Sequence, residues 1–376
     1  MSTSVYASID LGALKDNLQL VRSLAPCSNV LAVIKANAYG HGLVPIAAAL
    51  KNADALAVAR CEEALQLRDA GITARLVVMG GTMTSADIAA LNQNNIDITV
   101  HHPEQLGLLM REPLLKPANI WLKFDSGMHR LGFTREDFIN AYQQLSTHPQ
   151  IKQRILMTHF ASADNIASDF TQMQWESFLN TTANINEPIS AANSAALLAW
   201  PHTRGDWVRP GIMLFGADPL QNPTWESRRL RPVMQLQSTL IALRRINTNE
   251  TVGYNNTWRA QRPSTIGTIA IGYGDGYPRH ASNGTPIWIC GKRAPLAGRV
   301  SMDMITVDLT DIPQARIGDT VELWGPHISV NEVAQYANTI SYELLTSVNA
   351  RVKFRYIQSA STYSDTADTT LSSYAE

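Results

Sequence analysis

The stretch Val30-Leu-Ala-Val-Ile-Lys35 reads as a short buried strand that ends in a single lysine. After it, short β-branched apolar runs alternate with longer amphipathic segments, a pattern that predicts βα units around a parallel sheet. We count eight such strands, at residues 30–35, 54–59, 75–79, 96–100, 119–124, 154–159, 188–192 and 206–209. The first seven are each followed by a predicted helix. Because eight parallel strands close into a cylinder, the sequence predicts an α/β fold of the (β/α)8 barrel type.

The character of the sequence changes after residue 220. Pro219, Pro223 and Pro232 lie close together, and the segments beyond them alternate apolar and polar residues between glycine and proline turns. Such alternation predicts half-buried strands, which we place at residues 265–271, 286–290, 304–309 and 320–324. We therefore expect a barrel domain over residues 1–232, a smaller, mainly β domain over 233–358 and a loose polar tail over 359–376.

The composition excludes several classes of function. With 376 residues, 45% of them hydrophobic, and a formal net charge of −1, the chain has no electrostatic reason to bind nucleic acid or anionic lipid. No apolar run is long enough to span a membrane, and the first residues do not resemble an export signal. Cys27, Cys61 and Cys290 fit neither a disulfide framework nor a zinc site. We therefore expect a cytoplasmic protein without a metal, acting on a small molecule.

Several predicted strands end in polar residues. Active sites of (β/α)8 barrels lie at the carboxyl ends of the strands, where this chain places Lys35, Lys123, His159, Asn193, Ser194 and Arg209. Burial at the end of an apolar strand would lower the pKa of Lys35 and favour the neutral amine that forms Schiff bases. Taken alone, Lys35 could equally be a lysine whose ammonium group reaches out of the barrel mouth into water.

The segment Ala32-Val-Ile-Lys-Ala-Asn-Ala-Tyr-Gly-His-Gly42 resembles the pyridoxal-phosphate attachment motif of bacterial alanine racemases. Further motifs of that family follow in the same order, at Lys123 to Arg130, Thr158-His159, Asn193-Ser194, Val208 to Ile212, Val252 to Tyr254, Ile271 to Tyr273, Gly298 to Asp303 and Ser341 to Glu343. The resemblance extends from Ser4 to about Phe354. It implies pyridoxal 5'-phosphate as the cofactor and L- and D-alanine as the substrates.

The same resemblance implies how the cofactor is held. Lys35 would bind it covalently, and its phosphate would contact Tyr39, Ser194, Gly211, Ile212 and Tyr342. Arg209 would face the pyridine nitrogen, keep it unprotonated and make the ring a weaker electron sink than an acidic partner would. Asn193 and His159 would lie beside the cofactor, with His159 either supporting Arg209 or packing under the ring. Arg130 would bind an anionic oxygen of the cofactor or substrate, oriented by Lys123 if that lysine is carbamylated as in many relatives.

Racemisation needs a proton to leave one face of the substrate Cα and another to arrive on the opposite face, most simply through two acid–base groups. The resemblance implies that Lys35 serves D-alanine and Tyr254 serves L-alanine, acting on an external aldimine. An unperturbed tyrosine, with a pKa of about 10, is a poor base, so nearby positive charge would have to favour the phenolate. Tyr254 would come from the partner subunit of a homodimer with shared active sites. Met302 would contact the substrate carboxylate from the same domain, supported by Asp303 and Tyr273.

The sequence leaves open three alternative classes of protein and one question, which is the physiological role of such a racemase. A pyridoxal-phosphate amino-acid decarboxylase of the same fold would want an acidic partner where Arg209 stands. A non-catalytic cofactor carrier would not need the domain that bears Tyr254, and a cofactor-free Schiff-base aldolase would be colourless. D-Alanine could serve peptidoglycan synthesis, or the enzyme could serve alanine breakdown. Arg279, Arg299 and Asp164 are predicted to line the corridor that leads to the site.

Overall fold

Residues 5–361 are described in the computed structural model of the chain, and eight parallel strands within them close into a barrel. The first strand, β1 (Tyr6–Asp10), precedes the barrel, whose strands are β2 (Asn29–Val33), β3 (Ala55–Val58), β4 (Leu76–Val78), β5 (Ile96–Val100), β6 (Ala118–Lys123), β7 (Ile151–Met157), β8 (Ile189–Asn193) and β9 (Trp207–Arg209). Pairing of Asn29 with Trp207 closes the cylinder. The predicted (β/α)8 class is confirmed, and all eight predicted strands overlap observed ones.

Helices follow the barrel strands as the sequence predicts. They are α1 (Leu11–Leu24), which precedes the barrel, and α2 (Lys35–Tyr39), α3 (Leu43–Ala49), α4 (Cys61–Asp69), α5 (Ser85–Gln93), α6 (Pro103–Arg111), α7 (Arg135–Thr147), α8 (Phe170–Thr182) and α9 (Ser194–Ala199). Several begin where a short polar side chain satisfies a free backbone amide. Thr84 accepts from Asp87 N and Thr134 accepts from Asp137 N. Such caps fix where each loop ends and its helix begins.

The second domain is built on a mixed sheet of eight strands. The strands after the barrel are β10 (Met234–Ile246), β11 (Thr251–Val252), β12 (Trp258–Arg259), β13 (Ser264–Ile269), β14 (Pro286–Ile289), β15 (Lys292–Pro295), β16 (Ile305–Asp308), β17 (Thr320–Trp324) and β18 (Lys353–Ile357). Helices α10 (Val330–Tyr336) and α11 (Ser341–Thr346) lie between the last two strands. The long strand β10 pairs with β1, β13 and β17 and so organises the sheet. All four strands predicted for this region are present.

Strand β1 belongs to this second sheet, although its residues lie in the segment that the sequence analysis assigned to the barrel. It pairs antiparallel with β10 and parallel with β18. Ala7 and Ile9 are fully buried in that arrangement. Since the partners of a strand are distant in sequence, no local pattern indicated this pairing. From β1 onwards, the chain therefore contributes a strand to the sheet of the second domain, then forms the barrel, and then returns to that same sheet with β10.

The opening residues of the predicted tail are packed rather than loose. Ser359 N donates to Asp10 Oδ1 at 3.1 Å, and Arg231 Nη2 donates to Ser359 Oγ at 2.8 Å. The rest of the predicted tail, residues 362–376, lies outside the described residues. Among residues 5–361, no helix combines the length and the apolar character that crossing a bilayer would require.

The amino end of the barrel is closed by a buried polar network. Asp97 accepts from Arg75 Nε at 2.8 Å, Asn119 Nδ2 at 2.9 Å and Trp121 Nε1 at 3.1 Å. The indole of Trp121 also packs edge-on against Trp207 at 5.4 Å. Because these buried polar atoms are satisfied by one another, the network closes this end of the barrel and leaves the carboxyl end for a site.

Candidate active site

Basic side chains from four barrel segments meet at the carboxyl ends of the strands. Lys35 follows β2, Lys123 ends β6, Arg209 ends β9 and Arg130 lies in the loop after β6. They are close enough that Arg130 lowers the pKa of Lys35, while Arg209 and Arg130 both lower the pKa of Lys123. The structure therefore brings the predicted basic residues into one cluster. Such a cluster is expected where anionic groups bind.

Lys35 has the properties of a nucleophilic amine. Its side chain reaches the barrel mouth, yet the surrounding protein desolvates the amine, and this burial is the main reason that its pKa is lowered. The charge of Arg130 lowers the pKa further, and the carboxylate of Glu63 partly opposes both effects. A lowered pKa increases the fraction of neutral amine at physiological pH, which is the form that attacks a carbonyl carbon.

The residues after Lys35 adopt an unusual backbone. Ala36, Asn37, Ala38 and Tyr39 have φ angles of 54°, 53°, 54° and 52°, so α2 is a left-handed turn. Left-handed backbone costs L-residues other than glycine roughly 1–2 kcal/mol each, and the surrounding structure must stabilise it. The sequence pattern predicts only that Lys35 ends a strand, and it does not indicate this turn.

Five predicted cofactor ligands form a polar cup beside the turn. The rings of Tyr39 and Tyr342 lie 6.0 Å apart, and Gly211 N donates to Ser194 Oγ at 2.9 Å. A Cβ on Gly211 would lie only 2.3 Å from Tyr39 Oη, so a side chain at position 211 would displace the Tyr39 hydroxyl. Ile212 begins a short 3-10 helix, where an amide has no acceptor within the helix. Tyr39, Ser194, Gly211, Ile212 and Tyr342 together form this cup, in which the three hydroxyls and the Ile212 amide are the donors for one anionic group.

Both phenols of the polar cup are held in their protonated form. Burial is the main reason that the pKa of Tyr39 is strongly raised, and Tyr342 adds to the effect. Burial and the nearby Asp164 raise the pKa of Tyr342 to about 12. Each hydroxyl therefore keeps its hydrogen at neutral pH and can donate it to an anion.

Arg209 is a buried cation with one unmatched donor. Its Nη1 donates to Ser190 Oγ at 2.7 Å, and its Nη2 donates to the carbonyls of Thr158 at 2.6 Å and Ala191 at 3.0 Å. Burial lowers the pKa of Arg209 to about 10, so it remains charged at neutral pH. Its Nε–H has no acceptor among the described residues. Because a buried donor without an acceptor costs free energy, this atom indicates a missing partner with a lone pair.

His159 and Asn193 both have structural contacts. His159 Nδ1 lies 3.3 Å from Arg209 Nη2 and must accept there, which places the imidazole proton on Nε2. Burial and the charge of Arg209 hold the pKa of His159 well below its usual value, so the ring is neutral. Asn193 Oδ1 accepts from Ala196 N at 3.0 Å and caps α9, the helix that begins with Ser194.

Lys123 lies under the mouth of the barrel as a buried amine. Burial, followed by the charges of Arg209 and Arg130, lowers its pKa to about 8. The loop that leads to Arg130 is folded by Asp125, whose Oδ1 accepts from Gly127 N and His129 N at 3.0 Å each. Lys123 and Arg130 are therefore held close together although both can carry positive charge.

The predicted site residues of the second domain are exposed in a single chain. Tyr254 is 64% exposed and has no hydrogen-bond or ring partner within residues 5–361, whereas Met302 is 54% exposed. Tyr273 carries the Arg279 guanidinium 6.0 Å from its ring centre, and Asp303 Oδ1 accepts from Arg351 Nη2 at 2.6 Å. Within one described chain, the structure does not bring Tyr254 to Lys35.

A concave surface of about 320 Å³ is lined entirely by residues of the second domain. It is lined by Thr257, Arg279, His280, Ala281, Ser282, Asn283, Gly298 and Arg299. Of the predicted corridor residues, Arg279 and Arg299 therefore lie together, while Asp164 is close to Tyr342 and accepts from Gln221 Nε2 at 3.1 Å. The reactive cluster itself remains open in a single chain.

Sequence reasoning gave no role to three residues around the left-handed turn. Glu63 accepts from Ala59 N at 3.0 Å and Arg60 N at 3.2 Å, and it is the anion that acts on Lys35. His41 and Phe215 pack with their ring centres 4.5 Å apart behind the turn. The position of His41 inside the attachment motif is the sequence signal that could have identified it. Glu63 and Phe215 have no comparable signal, because their contacts join distant parts of the chain.

Fold and site together define a two-domain (β/α)8-barrel enzyme whose reactive amine lies among buried cations. Models of the N-terminal and C-terminal domains of alanine racemase match residues 9–219 and 233–356. An alanine racemase of Shewanella baltica is 47% identical over 347 residues, which are 92% of this chain and 97% of that protein. The chain belongs to the alanine racemase family.

Solved structures agree with this assignment. The biosynthetic alanine racemase from Pseudomonas aeruginosa superimposes with a TM-score of 0.92 at 44% identity, covering 95% of this chain and all (100%) of that one. Alanine racemase from Bartonella henselae with covalently bound pyridoxal phosphate gives a TM-score of 0.85 at 30% identity, covering 95% and 100%. The protein is accordingly an isomerase that interconverts L-alanine and D-alanine, and the predicted activity is confirmed.

Proposed function

We propose that the enzyme uses pyridoxal 5'-phosphate, bound covalently through Lys35. The observation that carries this proposal is the buried Nε–H of Arg209, which lacks an acceptor among the described residues. A pyridine nitrogen offers the lone pair that this donor needs. Lys35 supplies an amine of lowered pKa, and the polar cup supplies donors for a phosphate. The family relative from Bartonella henselae carries the same cofactor covalently.

When bound, the cofactor supplies a conjugated ring that withdraws the electrons left on the substrate Cα after a proton departs. Tyr39, Ser194, Gly211, Ile212 and Tyr342 would hold the phosphate. His159 and Asn193 would act from beside the ring, by supporting Arg209 and by capping the helix of Ser194. Arg130 would bind an anionic oxygen at the barrel mouth.

Arg209 also argues for racemisation over decarboxylation. A charged guanidinium beside the ring nitrogen disfavours protonation of that nitrogen, so the ring withdraws electrons less strongly than it would beside a carboxylate. The contacts of Arg209 Nη1 with Ser190 and of Nη2 with Thr158, Ala191 and His159 hold its side chain in place. A pyridoxal-phosphate decarboxylase of this fold would need an acidic residue there, whereas in this proposal Arg209 would face the ring nitrogen.

We propose that the two proton-transfer groups come from different subunits. Lys35 would act on the D enantiomer from the barrel, and Tyr254 of a second copy would act on the L enantiomer. Tyr254, Met302 and Tyr273 are exposed in one chain, which leaves all three side chains free to contact a partner subunit. In a two-fold dimer, each site would combine both domains.

In this proposal the barrel within residues 1–232 binds the cofactor, together with Tyr342 from the second domain of the same chain. Residues 233–358 complete the partner's site through Tyr254 and Met302, with Asp303 and Tyr273 in support. The three free thiols of Cys27, Cys61 and Cys290 support a cytoplasmic location. D-Alanine would serve peptidoglycan synthesis, or the enzyme would serve alanine breakdown, since the same site chemistry suits both.

Borohydride trapping of the native protein tests the proposed attachment. Protein loaded with pyridoxal 5'-phosphate should absorb visible light and lose that band on reduction, because reduction removes the carbon–nitrogen double bond. Peptide mass mapping should find the added mass on Lys35. A label on another lysine, or no trapped label, would contradict the proposal.

We propose further that Lys123 is carbamylated, which would replace its positive charge by a negative one beside the cation of Arg130. The neutral amine attacks carbon dioxide, a nitrogen–carbon bond forms and a proton is released. Because the Lys123 pKa is lowered to about 8, its neutral fraction should rise steeply between about pH 7 and about pH 9. Carbon-13 NMR after addition of labelled bicarbonate should show a carbamate that Lys123→Ala removes and Lys152→Ala retains. A signal unaffected by Lys123→Ala would refute the assignment.

A further inference from the structure

His41 is a buried histidine whose imidazole serves the backbone of the Lys35 turn. Its Nδ1 lies 2.9 Å from the carbonyl oxygen of Tyr39 and 3.1 Å from that of Ala38. Carbonyl oxygens only accept, so Nδ1 must carry the hydrogen and donate it. The proton position of this ring is thereby fixed by its neighbours.

The other nitrogen of the same ring has no partner. His41 Nε2 is fully buried and meets no donor among the described residues. A buried acceptor without a donor is unfavourable, and a phenylalanine of similar shape would avoid that cost. The presence of a histidine at this position is therefore explained by the hydrogen bonds that Nδ1–H donates to the two carbonyl oxygens, since packing alone would favour an apolar ring.

The turn that His41 bonds is the strained one. The two carbonyls belong to the last two of the four left-handed residues between Lys35 and Gly40. Backbone of this kind persists only where several contacts enforce it. Gly40 passes so close to α11 that a Cβ would lie 2.1 Å from the Leu345 carbonyl oxygen, and Tyr356 Oη donates to the His41 carbonyl oxygen at 3.1 Å.

His41 also reaches the polar cup through an aromatic ring. The Phe215 ring lies between His41 and Tyr39, with centre distances of 4.5 Å and 4.9 Å. Phe215 ends the 3-10 helix that begins at Ile212, whose first residues form part of the cup. One packed column therefore joins the turn of Lys35 to the loop after β9.

We propose that His41 is a positioning residue for the cofactor: it fixes the left-handed turn so that Lys35 and Tyr39 are placed together against the polar cup. The inference rests on the proposed attachment of pyridoxal 5'-phosphate to Lys35. It assigns His41 no contact with substrate or cofactor. Loss of its Nδ1–H should loosen the turn and weaken cofactor binding while the barrel remains folded.

Two amide side chains that differ by one methylene group test whether the position of the donor matters. In His41→Asn the amide nitrogen takes the place of Nδ1 and can still donate to the turn, whereas in His41→Gln it lies one bond farther out, near Nε2. Asn92→Leu is the matched control, because buried Asn92 also bonds backbone, donating to the Lys116 carbonyl oxygen at 2.8 Å on the outer helix α5. It should lower stability without touching the turn.

The measurement is titration of each apoprotein with pyridoxal 5'-phosphate, followed by visible absorbance, beside thermal unfolding of the same apoproteins. We expect His41→Gln to weaken cofactor affinity about tenfold or more, and His41→Asn to stay within about threefold of the parent. Asn92→Leu should lower Tm with unchanged affinity. Equal affinities for the Gln and Asn variants, or a loss in Asn92→Leu as large as in His41→Gln, would overturn the role of His41. Failure of the parent protein to attach the cofactor at Lys35 would instead overturn the proposed function.

Discussion

Replacement of Lys35 by alanine should lower racemase activity by at least about a thousandfold, because one side chain is asked to do two things. It would hold the cofactor covalently, and it would move the proton on one face of the substrate Cα. Its lowered pKa and its place at the end of β2 suit both tasks. Lys123, the other lysine of the basic cluster, is buried below the barrel mouth at the end of β6, so it is not placed to replace Lys35.

The measurement is the rate of D-alanine formation by purified protein supplied with excess pyridoxal 5'-phosphate, together with its visible spectrum. Circular dichroism should be unchanged, because Lys35 makes no hydrogen bond within the described residues that the fold depends on. Lys152→Ala, which removes an exposed lysine from β7, should keep full activity. A Lys35→Ala enzyme that retains both the visible band and the activity would show that the amine lies elsewhere.

Two inactive variants should restore activity when their subunits are mixed. Lys35→Ala and Tyr254→Ala homodimers each lack a required group at every site. In a mixed dimer, one site has both defects, and the other combines the intact Lys35 of one chain with the intact Tyr254 of its partner. Random exchange makes about half of the dimers mixed, with one working site of two, so activity should approach about a quarter of the parent's.

Equal amounts of the two variants, differently tagged, should be exchanged and the mixture assayed, and the mixed species should then be isolated, for which about half of the parent's activity is expected. A mixture of either variant with itself is the control and should stay inactive. If isolated mixed dimers are inactive, Tyr254 does not act in the partner's site. The same result would mean that a role in the partner's active site does not explain the 64% exposure of Tyr254 in a single chain.

Much of the fold could be predicted from local patterns. The barrel strands contain short apolar runs that are buried on both faces, as in the fully buried β3 and β4. Helix starts at Thr84 and Thr134 follow from side chains that cap the next amides. Such features depend on residues a few positions apart, so the sequence carries them directly. Family and activity followed from the ordered motifs and are confirmed.

The site was predicted residue by residue through resemblance, and the roles of Lys35, Tyr254, Arg130 and the cup residues stay predictions. The tertiary structure adds what no motif states. Arg209 binds through both Nη atoms but finds no acceptor for Nε among the described residues, and Lys123 has a pKa lowered to about 8 by burial and by the charges of Arg209 and Arg130. Both facts arise from side chains that are far apart in sequence.

The sequence by itself determined the barrel, the mainly β second domain and the position of the reactive lysine at a strand end. Periodicity and burial are short-range properties, which is why they could be read without a structure. Only the tertiary structure decided that β1 joins the second sheet, that four residues after Lys35 turn left-handed, and that His41 bonds their carbonyls. Strand partners, strained backbone and buried hydrogen bonds are fixed by packing between distant segments, and local preference opposes some of them.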